Sequence, residues 1–88
     1  MATYILEVCE SVGVRYEAHV ILTTEASSRE EAIDNWEEKE RQLGGQEDGR
    51  REFAHTSNGY RSKLEAAYAL TEQQSLNLEE LPISLTQI

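Results

Sequence analysis

Glu30, Asp34 and Glu38 recur every four residues with Glu37 beside them, and these four carboxylates are the groups in the chain best spaced to act together. On a helix rising about 1.5 Å per residue they stand about 6 Å apart along one face. Like charges at that spacing repel by roughly 0.2–0.5 kcal/mol per pair, and Arg29, Lys39 and Arg41 offset only part of this. Such a column reads either as a solvated helix face or as spaced negative charge presented to a basic partner. General acid and base catalysis asks for something different, two carboxyls facing each other across a pocket with separated pKa values.

The cations are placed unevenly. Residues 25–49 hold nine acids against three bases, whereas residues 50–63 hold Arg50, Arg51, Arg61 and Lys63 against Glu52 alone. A hairpin bringing Arg51 near Arg61 would project a small basic patch from an acidic body; the alternative is internal balance against neighbouring acids. His19 and His55 lie far apart with no paired metal-ligand spacing, and the lone Cys9 has no histidine motif beside it. No glycine-rich phosphate loop is present. The expectation is no catalytic residue, no metal and no cofactor, with Glu30, Asp34, Glu37, Glu38, Arg51 and Arg61 as partner-binding candidates.

The element that must carry the acidic column is marked at both ends. Ser28 and Glu31 form a capping-box pattern, and Gly44-Gly45 after Leu43 can turn left-handed to close the last carbonyls. Ala32, Ile33, Trp36 and Leu43 fall within an arc of roughly 100°, enough for the buried stripe of a surface helix with Trp36 as anchor. Glu37 before Arg41 is the well-oriented pair of acid and base on the outer side.

Before this helix, Tyr4, Leu6 and Val8, then Val14, Tyr16, Ala18, Val20 and Leu22, alternate with the period of half-buried strands. The interval at Ser11, Val12 and Gly13 is short enough for an antiparallel hairpin. After the helix, Gln46 to Gly49 reads as a polar loop and residues 50–57 as a short strand carrying Phe53 inward. Asn58-Gly59 is a strong type I′ turn signal. From Tyr60 onward both a strand, with Tyr60, Ser62, Leu64, Ala66, Tyr68 and Leu70 on one face, and a helix starting at Ser62 fit the pattern; the preceding turn favours the strand. Pro82 confines the tail to a short edge strand at residues 83–87. The expected architecture is one α+β domain over residues 1–88, a small antiparallel sheet of order β-β-α-β-β with a short C-terminal strand, layered on one amphipathic helix.

A chain of 88 residues buries about 60–65% of its unfolded surface, so its core is lean and a partner or a second copy would help it. The formal charge of −9 argues against direct binding to a phosphate backbone. One cysteine forms no internal disulfide, no apolar run approaches a membrane span, and no signal segment opens the chain, which together point to a reducing cytoplasm.

The succession TYILEVCE, RYEAHVILTT, SSREEAIDNW and FAHTSNGY resembles the strand-strand-helix-hairpin plan of small proteins encoded by phages and mobile elements, some anti-CRISPR inhibitors among them. The resemblance is one of arrangement over most of the chain and transfers no binding residue. It implies an inhibitor that occupies a protein surface meant for nucleic acid, to which an acidic column would be complementary. The expected function is therefore a small acidic protein-binding module, an inhibitor or regulator with a basic-surfaced protein partner; the alternative is a homodimeric structural or assembly protein.

Overall fold

The alternation of the N-terminal half produces two long strands, β1 (Ala2–Val12) and β2 (Tyr16–Ala26), paired antiparallel from Ala2↔Ala26 to Val12↔Tyr16. The computed structural model describes residues 1–14, 16–55, 59–70 and 86–88. The hairpin reverses after Val12, two residues later than the sequence interval suggests, with Gly13 at φ +61° and Val14 fully exposed instead of extending the second strand.

Helix α1 (Arg29–Gln42) begins where the cap predicts: the Ser28 hydroxyl accepts the Glu31 N–H at 3.1 Å. The Glu31 carboxylate does not return that bond to the Ser28 backbone; it accepts from the Ser27 hydroxyl. At the far end Gly44 (φ +90°) donates its N–H to Arg41 O at 3.0 Å, and Gly45 donates to Glu40 O at 2.8 Å. This turn peels Leu43 off the sheet, leaving it 62% exposed, and Glu40 occupies the place in the buried stripe expected of Leu43.

Beyond the helix lie β3 (Gln46–Glu47), β4 (Glu52–His55), β5 (Tyr60–Ala69) and β6 (Thr86–Gln87). The loop expected at residues 46–49 thus contributes two strand residues, because Glu47 and Gln46 pair with Phe53 and Ala54. The sheet order is β3-β4-β5-β1-β2-β6; neighbours are antiparallel except β6, which runs parallel to β2. Residues 60–69 are strand, and Gly59 precedes them at φ +70°. Arg15, Asn58, Pro82 and the first part of the expected 83–87 strand lie outside the described residues.

A β-bulge shifts the β1–β5 register between Glu7 and Val8, which pair with Ala66 and Leu64 and leave Glu65 as the extra residue. The single parity expected along residues 60–70 breaks there. Ser62 and Leu64 face the helix before the bulge and Ala67 after it, while Ala66 and Tyr68 turn to the other side.

The core lies between α1 and one face of the sheet. Leu6, Val8, Ala26, Ala32, Ile33, Trp36, Phe53, Leu64 and Ala67 form it, with Tyr4, Leu22 and Ile88 packed at its margin. Trp36 and Phe53 meet edge to face at 5.4 Å between ring centres, a geometry worth about 0.5–1.5 kcal/mol beyond the area buried. Arg29 Nε donates to Ala67 O at 3.0 Å and Asn35 Nδ2 to Thr24 Oγ1 at 3.0 Å, pinning the helix rotation that turns Glu30 and Asp34 outward. No described helix is long and apolar enough to cross a membrane.

Candidate functional site

With its rotation set, α1 forms one wall of an open groove of about 370 Å3 whose lining includes Glu30, Asp34 and Glu37. The facing wall is the β3–β4 turn, with Glu47, Gly49, Arg50 and Arg51; Ile33 lies at the base. Local chemistry shapes that turn: Asp48 N–H donates to Glu52 O at 2.9 Å, and Gly49 takes φ +105°. Arg51 itself adopts φ +56°, a left-handed conformation uncommon for a residue with a Cβ, and its carbonyl accepts the Leu64 N–H at 2.9 Å. Among the described residues, Glu30, Asp34, Arg50 and Arg51 form no ion pair.

The six residues singled out by sequence therefore separate. Glu30, Asp34, Glu37 and Arg51 converge on this groove. Glu38 lines a second one with Asn35, Lys39 and Gln42, and lies 3.8 Å from Arg41. Arg61 sits on the far side of the sheet beside Asp48 and Glu52, whose carboxylates raise its pKa above the ordinary guanidinium value. Arg51 and Arg61 consequently make no joint basic patch, and for Arg61 internal balance holds. The expected Glu37–Arg41 pair also gives way: Arg41 bonds Glu47, and Glu37 acts on it only through its field.

Sequence reasoning missed a buried polar cluster under the C-terminal end of α1. Glu40 Oε2 lies 2.7 Å from His55 Nε2, and Glu40 Oε1 accepts the Ser62 hydroxyl at 3.1 Å. Gly45 closes over the pair, since a Cβ there would stand 2.9 Å from Glu40 O and 3.0 Å from His55 Nε2. Tyr60 stacks edge-on against His55, and burial first, then its hydrogen bond to Glu10, holds its hydroxyl well above the ordinary tyrosine pKa. The signal for Glu40 was available, four residues after Trp36 and on the same stripe, but its charge masked it. The cluster is not arranged as a nucleophile–base relay, because Ser62 donates to the carboxylate and the imidazole bonds that same carboxylate. Ser62 is 1% exposed, so substrate has no approach.

A third group lies on the face turned away from the helix. Cys9 and His19 are direct partners in the β1–β2 register, and Cys9 Sγ donates to Glu17 Oε1 at 3.2 Å. Glu17 Oε1 is 3.7 Å from His19 Nε2, and Glu65 Oε1 is 3.1 Å from His19 Nδ1. The Glu17 hydrogen bond foremost, then burial and the charges of Glu17 and Glu65, raise the thiol pKa, with Lys63 opposing. Linear spacing hid this group; the hairpin register was the signal that would have revealed it. Comparison with protein-family models, curated proteins and solved structures gave no significant match.

Proposed function

We propose that the chain is a protein-binding module, an inhibitor or regulator in its cellular role, that docks a basic segment of a partner protein along the groove between α1 and the β3–β4 turn. The observation that carries this reading is the convergence of Glu30, Asp34, Glu37, Arg50 and Arg51 on one open groove with Glu30, Asp34 and both arginines outside any ion pair of the described residues. The acidic wall attracts cationic side chains, and the opposite arginine wall sets their register by repulsion, so charge pattern supplies specificity and speed of encounter. A net charge of −9 steers a basic partner from a distance and disfavours nucleic acid as the direct ligand.

The test is affinity capture from lysate with partner identification by mass spectrometry, followed by binding to the purified partner. Glu30→Lys with Asp34→Lys should abolish capture, Arg51→Glu should weaken it, and added salt should slow association. Glu38→Lys, outside the groove, should leave it unchanged. Retained affinity in the double reversal overturns the reading.

A homodimeric assembly role is favoured by a separate observation. Among the described residues, the outer edge of β2 pairs with β6 only at Leu22 and Thr23. Strand backbone without a partner among the described residues can accept a strand from a second copy. Sedimentation showing a single monomeric species across micromolar concentrations disposes of that role.

A further inference from the structure

The structure assigns a zinc-class metal site to the face of the sheet turned away from the helix, with Cys9 Sγ, Glu17 Oε1 and His19 Nε2 as ligands and Glu65 as the carboxylate that orients His19. One ligand atom from each of Cys9, Glu17 and His19 already lies within 4.8 Å of the others, so small side-chain rotations bring all three onto one ion. The donor set decides the class of metal. Thiolate and imidazole suit Zn2+ and its neighbours and do not suit Mg2+ or Ca2+, which demand oxygen shells. Three protein ligands leave the fourth tetrahedral position open to water or to a partner's side chain.

Two features of the backbone build this arrangement. The hairpin register sets Cys9 opposite His19, and Glu17, two residues from His19, shares its face. Alternation along β5, in which Ser62 and Leu64 face the helix, puts Glu65 with Lys63 on the same surface, where its carboxylate lies 3.1 Å from His19 Nδ1. A histidine that binds metal through Nε2 and donates Nδ1–H to a carboxylate has its tautomer and ring orientation set by that outer bond. Lys63, beside Cys9 in the β1–β5 register, is the cation that opposes the ion. In the metal-free protein the Cys9 thiol points its proton at Glu17, Sγ donating to Oε1 at 3.2 Å. Binding exchanges it: the S–H bond breaks, the Zn–S bond forms, and one proton passes to the buffer.

The test uses the full, untagged chain freed of metal by chelation and titrated with Zn2+ alone and with Co2+ alone. One ion binds per chain, proton release accompanies it, and the Co2+ form shows a thiolate-to-metal charge-transfer band. Cys9→Ser and Cys9→Ala each remove the band. His19→Ala weakens Zn2+ binding by at least about 100-fold, since loss of a residue that merely supports a ligand already costs about 10- to 100-fold; Glu65→Gln falls in that smaller range. Lys63→Gln tightens binding. All four positions are at the surface or half-buried, and circular dichroism verifies that each variant folds. Absence of saturable binding, or affinity unchanged by both Cys9→Ala and His19→Ala, overturns the assignment.

Discussion

His55 meets Glu40 at 2.7 Å on the helix side of the sheet with side chains 9% and 6% exposed, whereas His19 meets Glu65 at 3.1 Å on the other side with 70% and 46% exposed. The residue types are the same and the distances similar, yet the two pairs face opposite demands. Inside, each polar atom has lost water and needs its partner, so Glu40 holds both His55 and Ser62 and the backbone at Gly45 closes over them. Outside, water competes for every bond, and the pair contributes little to folding. The exposed histidine is therefore available to bind something, and the buried one is committed to the fold.

Four substitutions test that contrast through urea denaturation of the metal-free protein. The largest effect belongs to His55→Ala, which leaves the Glu40 carboxylate buried with Ser62 alone and should cost about 3–5 kcal/mol. Next, Ser62→Ala removes the hydrogen bond to Glu40 Oε1 and should cost about 2 kcal/mol, with the midpoint falling and the slope unchanged. Gly45→Ala should cost about 1–2 kcal/mol, because its Cβ pushes on the Glu40 carbonyl and the His55 ring; a neutral result would mean the pair has slack to move. His19→Ala should change stability by less than about 0.5 kcal/mol. Should His19→Ala match His55→Ala, the contrast between the two faces fails.

The acidic helix shows how far local sequence carries. Ser28, Trp36 and the glycine pair marked its limits and its buried side, and the structure places all of them as read. The hairpin of β1 and β2, the strand at Phe53 and the strand from Tyr60 were legible for the same reason, since alternation and turn residues act over a few neighbours. The candidate site was only half legible. Glu30, Asp34 and Glu37 stood out from their spacing, but nothing local indicated that Arg51 would face them while Arg61 turned to Asp48 and Glu52. That division depends on the β3–β4 turn, and on a two-residue strand too short to leave a periodic pattern.

The same limit explains the parity error along β5. A bulge forms where one strand has a residue more than its partner can match, which is a property of the pair and not of either sequence. Its consequence is geometric: it turns Ala66 to the side that Glu65 already faces and moves Ala67 into the core.

By itself, the sequence determined one capped amphipathic helix, a long N-terminal hairpin, a strongly acidic balance and an α+β layering, because caps, periodicity and charge are set by neighbours along the chain. Only the tertiary structure decided that Cys9 meets His19 and Glu17, that Glu40 and not Leu43 enters the core, and that an acidic wall faces an arginine turn. Those meetings join residues brought together by strand register and helix rotation, and both are settled by the packing of the whole sheet.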